Sequence, residues 1–127
     1  MNLIDTHFHL DFYRDHKYWY DYINQNRQYT LCVTNSPGVY HSCKRLYPET
    51  KYLKFALGFN PKSIVFEKFD KRLFNHLQGE TKYIGEVGLD FTGKLKEKRE
   101  EQLYCFDYIC STVTENPVQL RQYILSH

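Results

Sequence analysis

The sequence lacks the features that mark membrane, secreted and strongly charged proteins. Its 127 residues contain no apolar stretch near the roughly 20 residues that a membrane-spanning helix needs. No basic region followed by an apolar run opens the chain, so we expect no signal peptide, no membrane partner and a cytoplasmic location. The formal net charge is only +2, which does not by itself argue for a nucleic-acid partner.

Cysteine pairs of the metal-binding or redox type are also absent. The chain has four cysteines, and none of them forms a Cys-x-x-Cys pair. Cys105 and Cys110 are five residues apart in a stretch of helical character, which suits neither a disulfide nor a zinc site. We therefore expect buried free thiols, as is usual in a reducing compartment.

The pattern of apolar residues predicts strands that alternate with helices. The predicted strands cover residues 3–9, 29–34, 52–57 and 83–90, and the predicted helices cover residues 13–26, 39–47, 66–77 and 95–113. Strands separated by helices pair in parallel. Their nearly continuous apolar composition is typical of strands that are covered on both faces. The fold class is therefore predicted to be α/β with a parallel sheet.

Polar side chains follow each predicted strand. They are His7 and His9 after the first strand, Asn35 after the second, Asn60 after the third, and Glu86 and Asp90 after the fourth. In parallel sheets the carboxyl ends of the strands share one edge, and functional sites lie there. We predict a functional site at this edge, because packing alone does not explain four strands that all end in polar residues.

The first strand offers two imidazoles at alternate positions. In a regular strand, Asp5, His7 and His9 project from the same face. With the carboxylate of Glu86 they form a nitrogen and oxygen ligand set that suits a divalent cation. Asp5 would either support a ligand or accept hydrogen bonds from the backbone. The simpler alternatives are two ordinary histidines near a strand end and a glutamate that caps a loop.

A divalent ion at this edge predicts metal-assisted hydrolysis. Such an ion lowers the pKa of a bound water and polarises a phosphoryl or carbonyl oxygen. We predict Glu86 and Asp90 as catalytic residues, and Asn60 and Lys62 as residues that bind substrate. Alternatively, Lys62 is a solvated surface lysine. Asp90 could instead support a metal ligand or bind a water.

At these residues the chain resembles the TatD family of metal-dependent deoxyribonucleases. The matching segments are residues 4–11, 58–61 and 84–90, with Gln102 and Phe106 in the next helix. The resemblance covers residues 1–110 and implies the N-terminal half of a (β/α)8 TIM barrel, with four to five parallel strands alternating with helices. It also implies cleavage of DNA phosphodiester bonds with divalent metal ions (Mg²⁺, Mn²⁺ or Zn²⁺), for which the ligands are His7, His9 and Glu86.

Two positions depart from the family pattern. Asn60 stands where the third-strand motif usually has a histidine, and an amide hydrogen-bonds a phosphate but does not titrate near neutral pH. Further family ligands come from later strands, and Arg121 stands where one of those histidines would fall. We therefore expect a TatD-like half-barrel over residues 1–110, a divergent tail over residues 111–127, and a truncated product of impaired activity.

Three functions remain open from the sequence. The first is a TatD-like deoxyribonuclease that acts on DNA, with single-stranded DNA as one candidate form. The second is another amidohydrolase-type metal-dependent hydrolase, acting on an amide, lactone or ring substrate. The third is an inactive fragment that works as a dimerising or partner-binding module. Half a barrel leaves two unpaired strand edges and an open inner face, which a second copy or a partner protein would cover.

Overall fold

The computed structural model describes residues 2–114 and 122–125, which form a parallel sheet with helices. The strands are β1 (Ile4–Phe8), β2 (Tyr29–Val33), β3 (Leu53–Phe59), β4 (Tyr83–Val87) and β5 (Gln122–Leu125). The helices are α1 (His16–Gln25), α2 (Pro37–Leu46), α3 (Lys71–Gln78) and α4 (Arg99–Thr114). Short 3₁₀ turns follow three of the strands, at Leu10–Phe12, Pro61–Val65 and Gly93–Lys98.

The strands are arranged in the order of the sequence. The sheet order is β1-β2-β3-β4-β5, and every neighbouring pair is parallel. Each of the first four strands is followed by a helix, which returns the chain to the start of the next strand. The sheet is curled, and the whole is half of a (β/α)8 barrel. The predicted fold class is therefore confirmed.

The main core lies between the helices and the outer face of the sheet. Alternate residues of β3, namely Leu53, Phe55 and Leu57, are fully buried there together with Tyr40 of α2 and Phe74 of α3. Burying one such side chain stabilises the fold by about 1.5–3 kcal/mol. Buried residues recur every two positions along β3 and every three along α2, at Pro37, Tyr40 and Cys43, which explains why the sequence pattern predicted both kinds of element.

The concave face of the sheet carries a smaller cluster. Leu31, Val33 and Ala56 are buried there, and Tyr83 packs against them. This second cluster explains why β2 and β3 have apolar residues at nearly every position instead of at alternate ones. Covering on both faces is what the apolar runs predicted.

A bulge in β1 corrects one predicted side-chain direction. Between the pairs Asp5–Thr30 and Phe8–Cys32, β1 has one residue more than β2. A bulge of this kind resets the alternation of side chains. Asp5 therefore lies in the same row as Phe8, and the prediction that it shares a face with His7 is wrong. Its carboxylate instead accepts a hydrogen bond of 3.0 Å from the backbone amide of His7.

The helices begin and end within a few residues of the predicted positions, and the largest difference is at the start of the third helix. The third helix begins at Lys71 instead of residue 66, because Asp70 accepts a hydrogen bond from the amide of Leu73 and caps the helix there. The fourth helix continues through Thr114. It therefore crosses the predicted division between the half-barrel (residues 1–110) and the tail (residues 111–127), and that division stays a prediction. Arg121, which stands where a family histidine would fall, lies outside the described residues. In residues 2–114, no helix is long and apolar enough to cross a membrane.

Candidate metal centre

Three predicted ligands meet at the carboxyl edge of the sheet. The ligand atoms of His7, His9 and Glu86 lie within 4.8 Å of one another. Nε2 of both histidines faces the same carboxylate oxygen, Oε1 of Glu86, with His7 in closer contact and His9 at 3.2 Å. In a flat sheet, β1 and β4 would stand about 14 Å apart, because two strands lie between them. The curl of the sheet therefore creates this centre.

The imidazole of His9 is oriented by an aromatic ring. The 3₁₀ turn Leu10–Phe12 begins directly after His9, and burial of Leu10 anchors it. The turn places the ring of Phe12 parallel to the imidazole, with the ring centroids 4.2 Å apart. Nδ1 of His9 is buried and has no hydrogen-bond partner among the described residues. A hydrogen bond from this nitrogen usually orients a metal-binding histidine, and here stacking on Phe12 orients the ring instead.

A bulge in β4 directs Glu86 toward the histidines. Gly85 and Glu86 together lie opposite Gly58 of β3, so β4 is one residue longer there. A methyl group on Gly58 would overlap the backbone of Gly85 and Glu86, so this close approach requires glycine. The amide of Glu86 also donates a hydrogen bond of 3.2 Å to the carbonyl oxygen of Thr34, at the end of β2.

Asn60 holds the second carboxylate oxygen. Its Nδ2 donates to Oε2 of Glu86 at 2.5 Å, and its Oδ1 accepts the amide of Lys62 at 2.9 Å. The hydrogen bond with His9 lowers the pKa of Glu86, and the one with Asn60 lowers it further, although burial acts in the opposite direction. Glu86 is therefore ionised near neutral pH, which is the form that binds a cation.

The three donors fit a divalent cation. Two neutral imidazoles that point nitrogen lone pairs at one carboxylate oxygen would repel it unless a proton or a cation lies between them. Two nitrogens and a carboxylate oxygen are ligands that Mn²⁺ and Zn²⁺ accept, and the carboxylate also suits Mg²⁺. His7, His9 and Glu86 are thus the residues that could hold a metal ion.

Asp90 and Lys62 belong to the loops that follow β4 and β3, and both lie outside this ligand group. Oδ1 of Asp90 accepts hydrogen bonds from the amide and the hydroxyl of Thr92, at 2.9 Å and 2.6 Å. These bonds lower the pKa of Asp90, and the positive charge of Lys62 contributes to the lowering. Asp90 is therefore ionised, and its carboxylate is turned toward its own loop. Lys62 is exposed, as a residue that meets substrate would be.

Asn35 and Gln102 support this edge through hydrogen bonds that the sequence did not predict. The backbone carbonyl of Asn35 accepts hydrogen bonds from the amide of Asn60 and the hydroxyl of Ser63, at 2.8 Å and 3.0 Å. Gln102 of α4 is 2% exposed and bonds the backbone of Asp90. A polar residue within the apolar stripe of a helix is the sequence signal that marks Gln102.

A family model described as TatD related DNase matches residues 4–120. The match begins with the first residue of β1 and includes all three residues of the metal centre. No curated protein matches the chain closely enough to be named as a relative.

Proposed function

The chain belongs to the TatD related DNase family, and we propose that it hydrolyses DNA phosphodiester bonds at the centre formed by His7, His9 and Glu86. Membership of this family supports a metal-dependent hydrolase that acts on DNA. The observation that carries the proposal is the meeting of two imidazoles and one carboxylate from strands that are not neighbours in the sheet. Packing does not require such a meeting, whereas binding of a metal ion does.

Each residue at the edge has a part in this proposal. His7, His9 and Glu86 would hold a divalent ion (Mg²⁺, Mn²⁺ or Zn²⁺), which supplies a bound water of lowered pKa and polarises a phosphoryl oxygen. Asn60 fixes one oxygen of Glu86, so that the other oxygen stays directed at the histidines.

Two charged residues beside the centre would meet the substrate. We propose that Lys62, which is exposed, attracts a phosphate of the DNA. Asp90 is ionised, and an ionised carboxylate can accept a proton from a water molecule or hold that water by a hydrogen bond. Both residues belong to loops that follow strands of the sheet, where substrates of such barrels bind.

The activity can be tested with end-labelled single-stranded DNA and Mn²⁺. We expect the wild-type chain to cleave it and Glu86→Ala to lose cleavage, because the variant lacks the carboxylate that both histidines face. Glu80→Ala is the matched control, since Glu80 is an exposed glutamate in the turn after α3. Equal cleavage by Glu86→Ala would contradict the proposal. A folded wild-type chain that cleaves no DNA would also contradict it, and would support the impairment predicted from the sequence.

Metal uptake provides a second test that does not depend on activity. We expect His7→Ala to lose binding of Mn²⁺ or Zn²⁺ in calorimetric titrations while its far-ultraviolet circular dichroism stays unchanged. The side chain of His7 is 39% exposed, so its removal leaves the core intact. His76→Ala is the control, because the side chain of His76 is 74% exposed on α3. Equal uptake by His7→Ala would refute the ligand assignment.

A second candidate function is protein binding through the edge at β1. Among the described residues, β1 pairs with β2 alone, and Leu3 and Ile4 on this edge are 64% and 72% exposed. An exposed apolar strand edge is a template for pairing with another chain. A second copy would give twice the monomer mass by light scattering, and Ile4→Lys would restore the monomer. A wild-type chain that stays monomeric at all concentrations would exclude self-association.

A further inference from the structure

Positive charge is concentrated in the loops after β3 and β4 together with the first residues of α3 and α4. Residues 62–72 and 91–99 together contain eight lysines and arginines and three acidic residues, whereas the whole chain has 17 basic and 15 acidic residues. The remainder of the chain therefore has more acidic than basic residues. A basic region on an otherwise acidic molecule attracts polyanions to that region.

A groove lies between these loops and α4. It has a volume of about 740 Å³. Its lining includes Ile64 and Cys105, which are buried, and Phe69, which is half-buried. Phe66 from the loop and Tyr104 from α4 also line it, and they are 86% and 55% exposed. We call these five residues the aromatic groove. Exposed rings over an apolar lining suit a flat apolar ligand such as a nucleobase.

The turn after β3 connects the aromatic groove to the residues around the metal centre. Asn60, which bonds the buried carboxylate, precedes the turn Pro61–Val65, and this turn leads directly to Phe66. Within the turn, Lys62 lies near enough to Asp90 to help lower its pKa, after the hydrogen bonds that Asp90 accepts in its own loop. The loops after β3 and β4 therefore meet at the edge of the sheet that carries the candidate ligands.

We propose that the aromatic groove binds an unpaired segment of the DNA strand whose phosphodiester bond is cleaved at the metal centre. The proposal rests on the proposed function and adds the surface that holds the bases of the strand. Bases of the segment stack on Phe66 and Tyr104, and its phosphates face Lys62, Lys68 and Lys98. Duplex DNA binds more weakly, because its paired bases cannot reach the two rings.

Acidic residues at the rim determine which interaction dominates. Glu67, Glu100 and Glu101 also line the groove, and Lys98 forms an ion pair of 3.0 Å with Glu101. The lining therefore carries three carboxylates against two lysines, Lys68 and Lys98, and the excess positive charge lies around the groove, in the loops and the first residues of α3 and α4. We conclude that stacking on the rings holds the bases, while the loops attract the phosphates from a longer range.

Fluorescence anisotropy with labelled oligothymidylate tests this groove. EDTA in the buffer prevents cleavage, so the affinity is measured independently of activity. We expect Phe66→Ala to weaken binding about fivefold or more, which is the usual effect of removing one stacking ring. Leu46→Ala is the matched control, because Leu46 is 66% exposed on α2 and lies outside the aromatic groove. Its affinity should equal that of the wild-type chain.

Salt dependence tests the part played by the lysines. Lys68→Gln should reduce the slope of log K against log salt by about 1, since one phosphate contact is lost. Lys82→Gln should leave the slope unchanged, because Lys82 precedes β4 at the opposite edge of the sheet. An unchanged slope in Lys68→Gln would overturn the assignment of that lysine to a phosphate.

Four outcomes separate this inference from the proposed function. Cleavage of DNA together with equal oligothymidylate affinity of Phe66→Ala and the wild-type chain would overturn the groove alone. Binding that depends on Phe66 without any cleavage would support the groove as a binding site and refute the proposed hydrolysis. Tighter binding of duplex than of single strand would overturn the groove. Self-association that Phe66→Ala abolishes would overturn it too, by assigning the groove to a second copy.

Discussion

Replacing Gln102 should loosen the loop that carries Asp90. Nε2 of Gln102 donates to the carbonyl oxygens of Asp90 and Leu95, at 2.8 Å and 3.0 Å. Oε1 accepts the amide of Asp90 at 2.9 Å. The Gln102→Leu variant removes all three hydrogen bonds while nearly preserving the buried volume. The change therefore isolates the hydrogen bonds from packing.

The expected cost follows from those three bonds. A neutral hydrogen bond contributes about 0.5–1.5 kcal/mol net, so Gln102→Leu should lower the free energy of unfolding by about 2–4 kcal/mol. The lower value applies where water reaches the freed backbone groups, and the higher one where they stay buried. A domain of this size is stable by about 5–15 kcal/mol, so the variant should be clearly destabilised but still folded.

Urea unfolding followed by the fluorescence of Trp19, the single tryptophan, measures this cost. Hydrogen exchange should show faster exchange at the amide of Asp90, which loses its acceptor. Gln25→Leu is the control, because Gln25 is exposed at the end of α1. If Gln102→Leu costs no more than Gln25→Leu, Gln102 does not hold the loop.

Three further predictions concern the metal centre and the thiols. Gly58→Ala should abolish metal uptake in calorimetric titrations, because the added methyl overlaps the backbone of Glu86; uptake equal to that of the wild-type chain would contradict this. Asn60→Ala should weaken metal affinity about 10–100-fold in the same titrations, since Glu86 loses the amide that fixes its Oε2. Unchanged affinity would show that Asn60 does not orient Glu86. Burial raises the pKa of the Cys32 thiol, and it raises the pKa of the Cys43 thiol to about 12. The unfolded chain therefore loses these protons first, and above about pH 8.5 the free energy of unfolding should fall by about 1.4 kcal/mol per pH unit for each thiol. Urea unfolding from about pH 8 to about pH 10 checks the slope, and a flat profile would contradict it.

The sequence was sufficient to predict the order of the elements and the edge of the sheet that carries the site. Apolar runs at residues 29–33 and 53–59 are strands because each face of the sheet has its own cluster to bury. Parallel pairing then follows from the helices between them, and it brings the carboxyl ends together. His7, His9 and Glu86 could be placed at one edge by this reasoning alone, without any knowledge of distances.

The directions of individual side chains could not be predicted in the same way. A period of two assumes an uninterrupted ladder, and both β1 and β4 contain a bulge. The bulge in β1 puts Asp5 in the row opposite to the one predicted, and the bulge in β4 directs Glu86 into the site. A bulge depends on the partner strand, so the sequence of one strand alone does not reveal it. The bulge in β4 requires that its partner β3 has a glycine, Gly58, at the point of closest approach.

The part played by Gln102 was hidden for a related reason. Its partners are backbone groups of Asp90 and Leu95, and backbone groups leave no trace in the residue types of a sequence. What the sequence does show is a polar residue on the face of the helix that is otherwise apolar, at Cys105, Ile109 and Val113. A buried amide must have partners, so such a residue indicates a hydrogen-bonded loop nearby even when the loop is not identified.

The metal centre depends on strands that contribute none of its ligands. β1 and β4 meet across β2 and β3, and the small side chain of Ala56 together with Val33 occupies the concave face between them. Bulkier residues there would hold the sheet flatter, because side chains crowd on the inner side of a curl. The approach of His7 to Glu86 therefore depends on room for the curl at this face as well as on the ligands themselves.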